Sequence, residues 1–499
     1  MTLNRISYLL DRIIPCSRRL LEVIFWSCLV VAPLEGEDLK SPNLLIIQTD
    51  EHNFRTLGCY RETLPPEQAY MWGPSVVTTP NIDWIAHNGA LCTSFYATTP
   101  VCSSSRAALV SGRYPQNTDV VSNNIPMNGD IVTFAEILRR QGYANGYAGK
   151  WHLDGDGKPQ WAPKRKFGFQ DNRFMFNRGH WKKLKLTSEG PKVAGFNNKG
   201  QPNYSVQGAD ASSFTTDFLT DRTLEFIKGH ANKPFCYWVS YPDPHGPDTV
   251  RAPYDSMFSH QNYQKPRTFE IGDSVIPKWA KPGKGGYKMS SYYGMVKCID
   301  DNIGRLLTQL KELKMMDRTI IVFTSDHGDL RGEHHQQNKG IPYEASAKIP
   351  FLMYYPGKVP PGTVVNQALS CVDFMPTILT MMGKSLSGKE EGRDASTLFV
   401  SRQKDLEWED VAFLRSTGTK GGWISAVTSQ YKLIYSAVES PWLFDLQKDP
   451  DELTNFADHP DYRHIVARLS QAILDYGKHY DDPFVRIEKI RNDLKKAVH

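Results

Sequence analysis

The chain has 499 residues and a formal net charge of +5, with 40% hydrophobic and 23% charged residues. That length can bury a large core, and the composition is ordinary for a globular protein. The small basic excess excludes a dedicated nucleic-acid binder, whose positive charge is larger and concentrated, while it permits a basic pocket for an anion.

At the N-terminus, Arg12, Arg18 and Arg19 precede an apolar run over residues 23–32, with Pro33 and Gly36 beyond it. The run is too short to span a bilayer, which takes about 20 apolar residues. Residues 1–36 therefore read as a signal peptide, and the protein is expected to be exported, periplasmic or secreted, with no integral membrane segment once the signal is removed. The eight cysteines are scattered and form neither a disulfide framework nor paired C-x-x-C zinc ligands. Cys16 and Cys28 fall in the signal, and most of the others are expected to be small buried hydrophobes.

Residues 44–49 (LLIIQT) form an apolar run without alternation, which suits a strand buried on both faces of a parallel sheet. Similar runs at 144–148, 235–240, 320–325 and 350–355 predict further strands. Helices are predicted between them: one opened by Thr79-Pro80 and closed by Gly89, one with a capping box from Thr133 to Glu136 and a stop at Gly142, and a long one over 292–315. The last carries Met295, Ile299, Ile303, Leu306, Leu307 and Leu310 on one side. Strands alternating with helices predict an α/β fold, a doubly wound, mostly parallel sheet. Residues 156–210 show little periodicity and read as a long loop region on the substrate side. Beyond about residue 395, antiparallel strands are predicted at 423–427 and 432–436 and a final helix at 465–476. The expected organisation is a signal peptide (1–36), a catalytic α/β domain (40–394) and a C-terminal α+β subdomain (395–499).

In open α/β sheets, ligands bind outside the carboxyl ends of the strands. Asp50-Glu51-His52, Lys150-Trp151-His152, Asp243-Pro244-His245 and Asp326-His327-Gly328 all follow predicted strands and should converge on one crevice. The hard oxygen donors among them suit calcium, magnesium or manganese. Cys102 opens a predicted helix in Cys102-Ser103-Ser104-Ser105-Arg106, and a helix N-terminus both lowers a thiol pKa and binds anions. That makes Cys102 a candidate nucleophile near an anion, against the alternative of a buried structural cysteine.

The segment from Cys102 to Arg113 (CSSSRAALVSGR) resembles the signature of the sulfatase family. The resemblance extends through Asp50-Glu51, Thr79 to Asp83, Gly149 to His152, Asp326 to Gly328, Gly332 to His334, Asn338 to Gly340, Tyr343-Glu344 and Leu443 to Asn455. It implies a formylglycine-dependent type I sulfatase with an alkaline-phosphatase-like fold. Ser104 stands where that signature has proline or, less often, alanine, and Glu51 stands where aspartate or glutamine is usual.

From the resemblance, Cys102 is expected to become formylglycine through a formylglycine-generating or sulfatase-maturing enzyme. One Ca2+ is expected on Asp50, Glu51, Asp326, His327 and the modified Cys102. Arg106 would support the metal surroundings, and Lys150 and Lys339 would contact sulfate oxygens. His245 would act as general acid and His152 as the base that restores the aldehyde. His334 and His335 are expected to be structural or supporting, and His52 has no assigned role. The implied activity is release of sulfate from a sulfated carbohydrate. The alternatives are a phosphate or phosphonate ester hydrolase of the same superfamily and, if Cys102 is unmodified, a non-catalytic binder of sulfated glycans. The basic and aromatic stretch from Trp161 to Lys183, including Arg173, Arg178, His180 and Lys182, is expected to border the crevice and contact substrate.

Overall fold

The computed structural model describes residues 41–270, 276–280, 286–401 and 407–499. The segment read as a signal peptide lies outside them. The main sheet has eight strands in the order Thr363–Val365, Ala90–Cys92, Phe351–Tyr354, Thr319–Ser325, Asn43–Asp50, Phe235–Pro244, Ala144–Lys150 and Asp171–Phe176. The Asn43–Asp50 strand is central and pairs in parallel with both neighbours.

The lack of alternation in the apolar runs has a simple cause. Leu44 and Ile46 enter one core cluster, while Leu45 and Ile47 enter another. Ile320 and Val322 divide from Ile321 and Phe323 in the same way, as do Cys236 and Trp238 from Tyr237 and Val239. Successive side chains point to opposite faces, and both faces are covered, so every position is apolar. Each such aliphatic side chain contributes about 1.5–3 kcal/mol relative to exposure. The helices Met289–Glu312, Thr215–Gly229 and Pro80–His87 supply cover on the second face through Ile299, Ile303, Leu306, Phe218 and Ile82. On the first face lie the helices Cys102–Ser111 and Cys371–Met381, through Leu109, Val110, Met375 and Ile378.

Four expectations are corrected. Phe351–Tyr354 runs antiparallel to both Thr319–Ser325 and Ala90–Cys92. A parallel return needs a crossover along the sheet, whereas the preceding segment holds only the short helix Glu344–Ala347 before the strand. Residues 156–210 are not merely a loop: they contain the edge strand Asp171–Phe176 and a hairpin, Leu184–Thr187 with Gly190–Val193. The helix Arg463–His479 is not the last, since Glu488–Val498 follows it. The box at Thr133 is half formed: its hydroxyl accepts from the Glu136 N–H at 3.2 Å, but the Glu136 carboxylate turns to Arg139 and Arg140.

The antiparallel pair predicted near the C-terminus is present as Trp423–Val427 with Tyr431–Ser436, extended by Ala412–Arg415 and Trp442–Asp445 into a four-stranded sheet. All six described cysteines are buried and free. Among the described residues, no helix is long and apolar enough to cross a membrane.

Candidate active site

Because the central strands are parallel, their carboxyl ends meet. Asp50 and Lys150 are the last residues of their strands, and Asp326 directly follows Thr319–Ser325. Gly149 sharpens this placement. It has φ +103°, and a Cβ there would lie 1.9 Å from the Ser240 carbonyl oxygen, so only glycine lets the two strands approach where Lys150 turns into the site. Cys102 arrives from the other direction as the first residue of the fully buried helix Cys102–Ser111, which Gly112 ends in the left-handed conformation (φ 64°). At the third helical position, Ser104 lies in the first turn, where the backbone N–H has no intrahelical acceptor. That position accommodates proline and serine alike.

The Cys102 Sγ lies 3.2 Å from His327 Nε2, 3.5 Å from Lys150 Nζ and 3.8 Å from Asp50 Oδ1. Burial and Asp50 push this thiol up, but Lys150, Lys339 and His327 outweigh them and bring it down to about 7. Arg106 ties the floor together. Its Nε donates to Asp326 Oδ2 (2.9 Å), its Nη2 to Asp50 Oδ2 (3.2 Å), and its Nη1 to Gln48 Oε1, the Lys150 carbonyl and Ser240 Oγ (3.0, 2.7 and 2.7 Å). Burial opposes its charge, yet Asp326 and Asp50 raise its pKa further.

Asp50, Cys102, Asp326 and His327 each offer one donor atom, all within 4.8 Å of one another and all buried. His327 Nδ1 lies 2.9 Å from the Gly328 carbonyl, which accepts its proton and leaves Nε2 facing the group. Burial pulls His327 down, but Asp326 and Cys102 carry it to about 9. Two carboxylates, one oriented imidazole and a thiol side chain that can be replaced by oxygen chemistry make a donor set suited to a divalent cation. Glu51 lies outside this group of four. Its carboxylate is 2.9 Å from His245 Nε2 and 3.1 Å from Lys339 Nζ. Burial opposes its charge, but His245 and Lys339 hold it well below the usual carboxylate range. The extra methylene relative to aspartate carries its charge away from the cation group toward the histidine and lysine.

A second layer lies above this floor. Lys150 Nζ is 2.5 Å from Asp50 Oδ2 and 2.9 Å from His180 Nε2. The His180 ring stacks on His245 at 3.5 Å and 9°. His245 Nε2 is also 2.9 Å from Lys339 Nζ. His152 Nε2 contacts Asn124 Oδ1 at 2.9 Å, while its Nδ1 is buried without a hydrogen-bond partner. Burial, then Lys150 and Arg106, holds His152 well below its ordinary pKa, so it is neutral near pH 7. Glu51 and His152 both adopt positive φ, 60° and 62°, a conformation that costs about 1–3 kcal/mol in non-glycine residues and collects at functional sites.

Every residue proposed for the site thus lies in one buried crevice. His180 was grouped only with a basic stretch. It follows the edge strand Asp171–Phe176, and recognising that strand would have placed it by the strand-end rule. Gln48, Ser240 and Asn124 carry no sequence signal of their own. Other members of the basic stretch point elsewhere. Arg173 is paired with Asp171 at 2.8 Å in mid-strand, and Arg178 with Asp156 at 2.9 Å. Lys182 is buried against Asp243 (2.6 Å) and the His245 carbonyl (3.1 Å), where it supports the His245 loop. His52 is buried between Thr49 and Thr56 hydroxyls (3.1 and 3.0 Å), and burial brings it down to about 3, so its role is structural. His334 stacks on Tyr343 at 3.6 Å.

The sulfatase family profile matches residues 42–384, and the profile for the C-terminal region of N-sulphoglucosamine sulphohydrolase matches residues 332–479. The chain belongs to the sulfatase family. As a sulfatase it is a sulfuric ester hydrolase. It is 26% identical over 462 residues to an ulvan-active sulfatase from Formosa agariphila, covering 89% of this chain and 84% of that protein. It is 24% identical over 531 residues to an N-acetylglucosamine-6-O-sulfatase from Bacteroides thetaiotaomicron, covering 90% of this chain and 88% of that one. A protein solved in complex with its substrate D-glucosamine-2-N,6-O-disulfate shares the fold, with a TM-score of 0.71, 22% identity, and coverage of 89% of this chain and 98% of that one.

Proposed function

We propose that this sulfatase releases sulfate from sulfated carbohydrates, using Cys102 after its conversion to formylglycine and one Ca2+ held by Asp50, Asp326, His327 and residue 102. The observation that carries this is the burial of the Cys102 Sγ among Asp50, Lys150 and His327 at the start of a helix. The names of the relatives, which act on ulvan or on N-acetylglucosamine sulfate, support a carbohydrate substrate. The hydrated aldehyde would supply a nucleophilic oxygen, and the cation would supply Lewis-acid stabilisation of charge on the sulfuryl oxygens.

The chain's own residues do the rest. Lys150 and Lys339 bind sulfate oxygens from two sides. Arg106 fixes both carboxylates of the floor. His245 delivers a proton from Nε2 to the departing ester oxygen, and Glu51 and the stacked His180 hold its ring in place. His152, neutral and with Nδ1 unpartnered, accepts the proton whose removal restores the aldehyde. Conversion of Cys102 requires a formylglycine-generating or sulfatase-maturing enzyme as a partner. Export by residues 1–36 belongs to the same proposal, and N-terminal sequencing of the mature protein checks it: an intact Met1 on protein recovered outside the cytoplasm would refute cleavage.

Mass spectrometry of the protein made with a maturing enzyme tests the central claim. A loss of about 18 Da at Cys102, together with sulfate release, is expected. An unmodified thiol in protein that turns over at full rate would overturn it.

A further inference from the structure

We infer that the cavity beside Glu51 is the leaving-group subsite of this enzyme and that it takes an uncharged, hydroxyl-bearing sugar ring rather than one carrying a second sulfate or a carboxylate. The inference rests on the sulfatase reading above. The cavity measures about 390 Å³ and is lined by Glu51, Asp248, Lys288, Asp329, Arg331 and Asn338, among others. That volume is in the range of small-ligand sites, about 300–1,000 Å³.

Its position follows from its inner end. Glu51 contacts both His245 and Lys339, Asn338 precedes Lys339, and Gly246 and Pro247 of the lining follow His245. The group bonded to the ester oxygen that His245 protonates must therefore extend into this space. Hydrolysis leaves that oxygen as a hydroxyl on the sugar, with its proton from His245, while water supplies the oxygen that departs with sulfate.

Its selectivity follows from charge. Arg331 is the buried cation of the wall, and it is already held. Its Nη1 and Nη2 lie 2.7 and 3.0 Å from Asp248, and its Nε lies 2.7 Å from Asp329. Its guanidinium also sits 3.8 Å from the centre of the Tyr292 ring. Two carboxylates thus surround one guanidinium, both of them at most 17% exposed. The lysines that grip the scissile sulfate stand at the inner end, not along this wall. A second anionic group on the ring would face Asp248 and Asp329 in a partly desolvated site, where like charges repel strongly. Sugar hydroxyls can instead donate to the remaining lone pairs of these carboxylates. Lys288 lies exposed at the rim, where salt screens its charge.

The test compares kcat/KM for methyl hexopyranoside monosulfates with that for the disulfates bearing a second sulfate on a neighbouring carbon. Wild-type protein carrying formylglycine is set against Asp248→Asn and Asp329→Asn. The monosulfate is expected to be favoured by about tenfold or more, and each variant should reduce that preference at least about threefold by removing a repelling charge. Because the readout is a ratio of two substrates on one preparation, it is independent of the fraction of folded protein. A wild-type preference for the disulfates, or a ratio unchanged in both variants, would overturn the inference while leaving sulfatase activity standing. No release from any ester, 4-nitrophenyl sulfate included, would instead overturn the sulfatase reading and the subsite with it.

Discussion

Two buried charge networks lie in this molecule, and they are built to opposite ends. In one, Lys432 Nζ donates to the Pro342 carbonyl, Glu344 Oε1 and Glu452 Oε1 at 2.8, 2.6 and 2.8 Å. Three N–H donors meet three acceptors, the Glu344 backbone N–H caps Glu452 at 2.7 Å, and Lys348 closes the other side of Glu344 at 3.1 Å. In the other, Asp50 is shared by Lys150 and Arg106, Lys150 also faces a thiol and an imidazole, and His152 Nδ1 has no partner. Both networks are desolvated, so burial of charge does not distinguish structure from function. Completeness does. The Lys432 network is satisfied and holds the C-terminal sheet to the segment after Asn338, whereas the Asp50 network keeps donors converging on a space that a substrate can enter.

The comparison can be broken first at its most reactive point. Cys102→Ala should lower turnover at least about a thousandfold, to background, while the unfolding midpoint moves little. Retained activity in a sulfate-release assay would remove Cys102 from the chemistry. Next, Asp326→Asn should lower kcat/KM about a hundredfold or more and also lower the bound divalent metal found by elemental analysis, since one carboxylate serves both the donor group and Arg106. Full metal content in that variant would detach Asp326 from the cation site.

Lys432→Met should do the reverse. Leaving Glu344 and Glu452 buried without their cation should cost about 3–5 kcal/mol in denaturant unfolding, with kcat/KM of the remaining folded enzyme changed less than about twofold. A loss of activity without a loss of stability would show that the two networks are not separable.

A pH titration sharpens the contrast further. Burial, with Arg55 and Lys432 nearby, brings His334 down to about 3 in the folded protein. The unfolded chain, with an ordinary histidine pKa of about 6.5, takes up the proton first. The stability that neutral His334 contributes is therefore complete above about pH 6.5 and is lost as pH falls toward 3, by at most about 1.4 kcal/mol per pH unit. His334→Phe should flatten the stability profile between pH 6 and 4 (about the range in which the unfolded imidazole charges). An unchanged slope in urea unfolding would assign that acid sensitivity to other groups. The smallest effect is expected at Arg173, whose ion pair with Asp171 is exposed. Arg173→Ala should shift stability by less than about 0.5 kcal/mol and kcat/KM on a sulfated oligosaccharide by less than about twofold. A clear rise in KM would return that residue to the substrate path.

Much of the architecture is legible in the chain alone. Unbroken apolar runs such as LLIIQT encode strands covered on both faces, because a residue pointing to either side meets a core. The polar clusters directly after those runs mark the carboxyl ends where parallel strands place a ligand. The helix start at Cys102 is equally local, since it depends on the chain reversing before a run of small residues. Arg173 and His180 show where this reading stops. Both belong to one basic stretch, but a strand register that no local pattern announces sends one to a solvent-facing edge and the other against Lys150.

By itself the sequence determined the family, the parallel sheet and the set of side chains that meet at its edge, because these follow from periodicity, spacing and motif. Only the tertiary structure decided which charges are satisfied and which stay poised. Glu51 is adjacent to Asp50 in the chain, yet its carboxylate turns to His245 and Lys339. Glu344 lies within the same motif block as Lys339, yet it serves Lys432. The physical reason is that the partner of a buried charge is set by three-dimensional proximity in a low-dielectric interior, where the nearest opposite charge dominates, and proximity between residues 88 positions apart, as for Lys432 and Glu344, is created only when the chain folds.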